Sequence, residues 1–249
     1  MSRHLDGRAT LVTGASSGIG EATALALADA GARVALVTRR HDRLDQLTIR
    51  IREAGGEAHP ITADLSTEAD AERSVRETER HFGRLDILVN GAGVMYLEPV
   101  AEADLERWRS MLDLNVLGLI AATQAALGRI RARQDGHIVN VASTAGRIAS
   151  PMGAGYSASK FAVVAFSEAL RREIYRDKIR VTVIEPGVVE TELREHIAHA
   201  ETQDATNRWA AGMRQLQATD IAAAIMYAVT QLPHVDVNEI LIRPTDQER

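Results

Sequence analysis

The stretch Thr13-Gly-Ala-Ser-Ser-Gly-Ile-Gly20 follows a short apolar run, Ala9-Thr-Leu-Val-Thr13, and leads into a helix-prone segment, residues 21–30. Strand, glycine-rich turn and helix in this order make a phosphate cradle. Gly14 allows the sharp exit from the strand. Gly18 lets backbone approach a pyrophosphate, and Gly20 lets the helix sit close to the sheet. The helix start around Ile19 offers unpaired N–H groups and the positive end of its dipole to an anion. Ser16 and Ser17 carry hydroxyls for phosphate or for capping the helix. The spacing, G-x3-G-x-G, departs from the commoner G-x-G-x-x-G.

Outward from this turn, apolar β-rich runs alternate with amphipathic segments. Strands are expected near 9–13, 33–38, 58–62, 85–90, 136–142, 179–184 and 237–242, and helices near 18–30, 41–54, 67–82, 101–131, 155–176 and 219–231. Runs such as Val34-Ala-Leu-Val37 and Val181-Thr-Val-Ile184 suit a parallel sheet buried on both faces. Seven strands in βαβ order predict an α/β fold: a Rossmann-type, doubly wound, seven-stranded parallel sheet flanked by helices. No linker divides residues 1–249, so one domain is expected. The segment 187–217 is polar, helix-prone and inserted before the last strand. Ligands of open α/β sheets bind beyond the carboxyl ends of the strands, so this insert is expected to be a substrate lid. The alternative is a helical pair that only covers the sheet.

Composition narrows the classes. The chain has 249 residues, enough for a large core, and a formal net charge of −5. Acidic and basic residues are interspersed, and no basic patch points to nucleic acid. There is no cysteine, which excludes disulfides and thiolate chemistry. No apolar run is read as long enough to span a membrane, and Met1-Ser-Arg-His-Leu-Asp-Gly7 lacks the apolar centre of a signal peptide. A cytoplasmic location is expected.

The second strand ends Val37-Thr38-Arg39-Arg40. An NAD site calls for a carboxylate here, on the ribose 2′-hydroxyl. Thr38 stands there instead, followed by Arg39 and Arg40, and a guanidinium can bond a 2′-phosphate at two points. The pattern favours NADP/NADPH over NAD. Asp64-Leu65 closes the third strand, and Asp64 is placed to cap a helix beginning near Ser66.

Tyr156-Ser-Ala-Ser-Lys160 puts two side chains four residues apart on one helix face. A free phenol titrates near ~10. A neighbouring ammonium is expected to lower that value and make Tyr156 a usable acid/base. Ser143 ends the strand Ile138-Val-Asn-Val-Ala142. Its hydroxyl can bond a substrate carbonyl as charge develops on oxygen, or cap the next segment. Asn115 falls inside a helical pattern, where Asn is mildly unfavourable.

TGASSGIG, Asp64, Asn90-Gly-Ala-Gly93, Asn115, Ser143, Tyr156-x3-Lys160 and Pro186-Gly187 occur in the order and at the spacings of the short-chain dehydrogenase/reductase family, which the chain resembles over about residues 7–191. The text around Glu185-Pro-Gly, Thr191-Glu-Leu193 and Arg243-Pro-Thr-Asp-Gln247 is similar to the serine dehydrogenase/clavulaldehyde reductase-like branch. One departure is Gly91, where the family usually has Asn; the cofactor is approached there mainly by backbone.

The resemblance implies hydride transfer between NADP(H) and a carbonyl or secondary alcohol. Tyr156 would be the acid/base, with Ser143 on the substrate oxygen. Lys160 would hold the nicotinamide ribose, and Asn115 a proton-relaying water. It implies that Asp64 and Leu65 meet the adenine, that Asn90, Ala92 and Gly93 border the cofactor, and that Pro186, Gly187, Val188, Val189 and Thr191 border its nicotinamide end. Thr191 is also readable as a helix start. Val94, Met95, Ala145, Met152 and Leu193, with Val188 and Ile197, are candidate apolar pocket residues. Arg147 and His196 are candidates to meet an anionic group. His196 and His199 have the spacing of a metal pair on a helix, but no third ligand is near in sequence and no metal is expected. A catalytically silent NADP-binding sensor or scaffold on the same fold is the alternative function. Alanine-rich faces at 121–126 and 162–165, together with the resemblance, imply a homodimer or homotetramer.

Overall fold

The computed structural model describes residues 4–248, so Met1–Arg3 of the N-terminal reading lie outside the described residues. The apolar runs form β1 (Ala9–Thr13), β2 (Arg33–Thr38), β3 (Glu57–Thr62), β4 (Ile87–Asn90), β5 (Gly136–Val141), β6 (Ile179–Pro186) and β7 (Glu239–Ile242). All pair in parallel, in the order β3-β2-β1-β4-β5-β6-β7. The connections are α1 (Gly18–Asp29), α2 (His41–Glu53), α3 (Glu68–Phe82), α4 (Leu105–Leu112), α5 (Leu119–Arg131), α6 (Ala154–Ile174), α7 (Ala200–Ala211) and α8 (Ala218–Val229). This is a Rossmann-type α/β fold. Its order reverses between β1 and β4, and there Thr13 lies level with Asn90. The glycine turn and the Asn90-Gly-Ala-Gly93 turn therefore leave the sheet side by side, at the switch point where such folds bind ligands.

Each face of the sheet has its own core. Leu27, Leu36, Leu44, Leu47 and Ile225 are buried in one, and Leu11, Leu88, Val75, Ile130 and Ile138 in the other. Burying a side chain of this size is worth about 1.5–3 kcal/mol, so the sheet is a rigid platform for the loops at its carboxyl edge.

The segment expected as one helix over 101–131 is a 3-10 turn, α4, a π-helical stretch Asp113–Gly118 and α5. The helical run Leu105–Arg131 is long and apolar enough to cross a membrane by length and composition only, a test that a packed core helix also passes. Here Ala122, Ala126 and Ile130 are buried against the sheet. Within the two alanine-rich faces, Ala122, Ala126 and Val163 serve this chain's own core, whereas Gln124 and Ala165 are exposed and Ala121, Ala125, Ala162 and Val164 half-buried. Large apolar side chains do reach the surface elsewhere on these helices: Leu105, Leu112, Leu117 and Phe161 are exposed.

Candidate active site

The glycine turn is kept bare by close contacts. Gly14 has φ +71°, and a Cβ on it would lie 2.8 Å from the backbone of Ala92. A Cβ on Gly20 would lie 2.2 Å from the Gly14 carbonyl oxygen. Beside this turn runs a cleft of about 260 Å³, lined among others by Gly14, Ser16, Ser17, Gly18, Ile19, Gly20, Arg39, Arg40, Asp64, Leu65, Ala92, Gly93 and Thr191. A second cleft of about 250 Å³ continues from it, sharing Ile19, Gly91, Gly93, Thr191 and Leu193. Ser143, Tyr156, Lys160, Pro186, Gly187, Val188 and Val189 line this second part. The bare turn, the helix start and the elongated double cleft fit an extended dinucleotide.

At the first cleft the structure separates the two arginines. Arg39 is well exposed, with its guanidinium 3.8 Å from Asp64. Arg40 lies on the turn itself: its Nε and Nη2 donate to Ser16 Oγ at 3.0 and 2.9 Å, and Nη2 donates to Ser17 Oγ at 2.7 Å. Ser17 stands at the N-cap of α1 but makes no side-chain cap bond. Asp64 does not cap α3. Thr67 does, accepting from the Asp70 N–H, while Asp64 Oδ1 accepts from the backbone and hydroxyl of Ser66 at 3.1 and 2.8 Å. The side chain of Asn90 is taken up by the fold. Its amide is buried under the sheet edge and donates to Thr123 Oγ1 at 3.1 Å and Asn140 Oδ1 at 2.9 Å, and it lines neither cleft.

The candidate acid/base groups sit where α6 begins. Tyr156 and Lys160, one turn apart, are 7% and 5% exposed, and the ammonium is 5.7 Å from the phenol ring centre. Lys160 Nζ donates to the Val141 carbonyl at 2.9 Å. Burial pushes the Lys160 pKa down to about 8. Burial pushes Tyr156 up to about 12, against a smaller lowering from its hydrogen bond with Ser143. The expected lowering of the phenol is not met in the protein's own groups: loss of water around the phenolate raises its pKa, and the only lowering contribution is the hydrogen bond with Ser143. Ser143 both faces the cleft and caps: its Oγ accepts from the Ala145 N–H at 3.1 Å.

Asn115 lies in the π-helical stretch, a local widening often found at functional sites. Gly118 helps to explain it, since a Cβ there would lie 1.9 Å from the Leu65 carbonyl oxygen and the helix runs against that loop. The Asn115 amide clasps Val94, accepting from its N–H and donating to its carbonyl, both at 2.9 Å. It also donates to Ser159 Oγ at 3.2 Å, and that hydroxyl donates to the Tyr156 carbonyl at 2.7 Å. Asn115 thereby ties the wall of the cleft to the catalytic helix from behind.

Of the candidate substrate residues, Val94, Met95, Ala145 and Leu193 line the second cleft. Ile197 is buried beside them. Arg147 does not line that cleft: its guanidinium is paired with the fully buried Glu185 and with Glu239. Met152, whose own backbone is left-handed (φ +64°), lines an outer cavity with Trp209 and His199 instead. His196 borders the first cleft rather than the substrate end. His199 caps α7 through Thr202 and lies 3.6 Å from Glu102. Among the described residues no group of three or more His, Asp or Glu side chains is placed to hold a metal.

Four residues escaped the sequence reading. Trp209 and Arg194 reach the second cleft from the 187–217 insert. Glu192, from the same insert, borders the first. Gln247 accepts from the Val188 N–H at 2.9 Å. The Arg243-Pro-Thr-Asp-Gln247 text was the only signal for Gln247, and it carried no role. Among the described residues no Asp or Glu lines the second cleft, and the charged ones that do are Lys160 and Arg194.

Comparison with known proteins agrees with this geometry. A family model described as short chain dehydrogenase matches residues 8–202. An uncharacterised oxidoreductase of Staphylococcus haemolyticus is 38% identical over 240 residues, 96% of this chain and 98% of that protein. The closed form of a serine dehydrogenase complexed with NADP+ superposes with a TM-score of 0.88 at 32% identity, covering 96% of each chain. An alcohol dehydrogenase from the archaeon Thermococcus sibiricus, complexed with 5-hydroxy-NADP, gives 0.86 at 27% identity, covering 97% of this chain and 98% of the other. With the glycine turn, the Ser143–Tyr156–Lys160 cluster and these matches in agreement over nearly its full length, the chain belongs to the short-chain dehydrogenase family.

Proposed function

We propose that this protein is an NADP(H)-dependent oxidoreductase acting on a carbonyl or secondary alcohol of a small molecule, with Tyr156 as the acid/base. The observation that carries this reading is the buried Tyr156–Lys160 pair beside Ser143, in a cleft continuous with the glycine turn. The NADP complexes of the similar serine and alcohol dehydrogenases support the choice of cofactor, as do Arg39 and Arg40 at the end of β2. Ser16, Ser17 and the α1 N-terminus would hold its phosphates, and Lys160 its nicotinamide ribose. NADP(H), when bound, supplies or accepts the hydride.

The chain's own part is proton handling. During reduction Tyr156 gives its phenolic proton to the substrate oxygen, and Ser143 donates a hydrogen bond to the same atom as negative charge develops. A phenol with its pKa pushed up to about 12 is fully protonated at neutral pH, which suits the reductive direction. Oxidation needs the phenolate and gains from alkaline conditions. The insert 187–217 acts as the lid, with Leu193, Arg194 and Trp209 walling the substrate end. A cleft without carboxylates favours a neutral or anionic substrate over a cationic one.

Turnover of a panel of aldehydes, ketones and oxo acids with NADPH tests the reading. Tyr156→Phe should lower kcat by about 10²–10⁴-fold while NADPH still binds. Rates within threefold of the unmodified enzyme would remove Tyr156 from the mechanism. Tight NADPH binding with no turnover across the panel would favour the silent sensor.

A further inference from the structure

At the phosphate end of the first cleft, a carboxylate from the lid already occupies the arginines. Glu192 is the first residue of the 3-10 turn Glu192–His196, which opens the α-helical part of the insert. Its Oε2 accepts from Arg40 Nη1 at 2.7 Å and its Oε1 from Arg43 Nη1 at 2.8 Å. The rest of the Arg40 guanidinium is bonded to Ser16 and Ser17 of the glycine turn. Arg40 therefore joins the turn to the lid, and Glu192 is the carboxylate that completes the link. The two elements also touch directly, since a Cβ on Gly18 would lie 2.9 Å from Thr191 Cγ2. The carboxylate is ionised in this setting: hydrogen bonds from Arg40, then from Arg43, hold its pKa below the usual range.

A ribose 2′-phosphate carries about −1.5 to −2 charges. It and Glu192 call on the same guanidinium, and anions sharing one cation repel each other. In these contacts three guanidiniums, Arg39, Arg40 and Arg43, face two carboxylates, Asp64 and Glu192. Removing the Glu192 charge doubles the net positive charge available to a phosphate there, from one to two.

We propose that Glu192 is a specificity-determining residue, a resident carboxylate on Arg40 and Arg43 that a 2′-phosphate must displace, so that cofactor phosphate and lid position are linked. By linkage, whatever the phosphate loses in displacing Glu192, the lid loses in its hold on the turn. Glu192 lowers affinity for the 2′-phosphorylated cofactor and in return makes the lid responsive to it.

The inference rests on the NADP reading, and ligand fragments separate the two. Calorimetric titration of the full chain with 2′,5′-ADP and with 5′-ADP at low salt is the measurement. Glu192→Gln, nearly isosteric, should tighten 2′,5′-ADP about fivefold, the upper range of a partly exposed ion pair, and leave 5′-ADP within twofold. Glu192→Ala should do the same. In the unmodified protein, amides of residues 192–196 should exchange hydrogen faster with saturating 2′,5′-ADP than with 5′-ADP. Unchanged or weaker 2′,5′-ADP binding in both variants, equal shifts for both ligands, or indistinguishable exchange would overturn the displacement. Failure of both nucleotides to bind the unmodified protein would overturn the dinucleotide site itself.

Discussion

Replacing Lys160 by Met is expected to make the protein more stable while disabling it. The ammonium is buried at the head of α6, and burial brings its pKa from 10.5 down to about 8. The folded state therefore holds the proton less tightly than the unfolded chain. Below pH 8 the lysine is charged in both states and the whole cost of burying the charge is present, about 3 kcal/mol for a shift of this size. Between pH 8 and 10.5 the folded state releases its proton first, the unfolded state binds more protons, and stability rises with pH. By pH 10 the cost has fallen to about 1 kcal/mol. Lys160→Met removes this cost but also leaves the Val141 carbonyl without its 2.9 Å donor, a loss of about 1 kcal/mol. The net expectation is a gain of about 2 kcal/mol at pH 7, vanishing near pH 10. Urea unfolding of both proteins at one concentration, without added nucleotide, at pH 7, 8.5 and 10 measures it. A variant less stable than the parent at pH 7, or a difference that does not change with pH, would refute the argument. The same variant should lose turnover and bind NADPH more weakly, the signature of a site that holds a charge at the expense of stability.

Further outcomes follow from the same geometry. The rate of alcohol oxidation with NADP should climb with pH up to at least about pH 9, because burial holds the Tyr156 phenolate above its ordinary range; a flat profile from pH 6 to 9 would contradict this. Ser143→Ala should cost about 10²–10³-fold in kcat with little change in NADPH binding, as for loss of one oxyanion donor, and an effect confined to KM would assign Ser143 to binding alone. Arg39→Leu should weaken NADPH about tenfold and spare NADH; equal loss for both would mean that Arg39 supports the fold or the adenine. Leu105, Leu112, Leu117 and Phe161, exposed on α4, α6 and the helical stretch between α4 and α5, are expected to be covered in a homodimer or homotetramer, and light scattering of a fully active monomer at micromolar concentration would exclude that.

How much was legible in the chain can be judged element by element. Strand positions were readable because a parallel sheet buried on both faces demands short, nearly continuous apolar runs, and Val34-Ala-Leu-Val37 or Val181-Thr-Val-Ile184 fit little else. The glycine turn was readable because contacts as close as that of Gly20 with the Gly14 carbonyl exclude every other residue. The Tyr156–Lys160 pair was readable because helix periodicity is a local rule. Contacts between distant segments were not legible. Arg147 looked free for a ligand until β6 and β7 delivered Glu185 and Glu239 to it. Arg40, not Arg39, lies on the turn serines, and Glu192 completes that link from 152 residues away. The phenol of Tyr156 was expected to fall in pKa beside an ammonium, yet packing around it strips away water and raises it. The sequence by itself determined the strand positions, the glycine cradle and the pairing of Tyr156 with Lys160 on one helix face, since these follow from periodicity and steric exclusion within a few residues. Tertiary structure alone decided which charges are already paired and how far burial shifts a proton, because both depend on groups that only folding brings within a few ångströms.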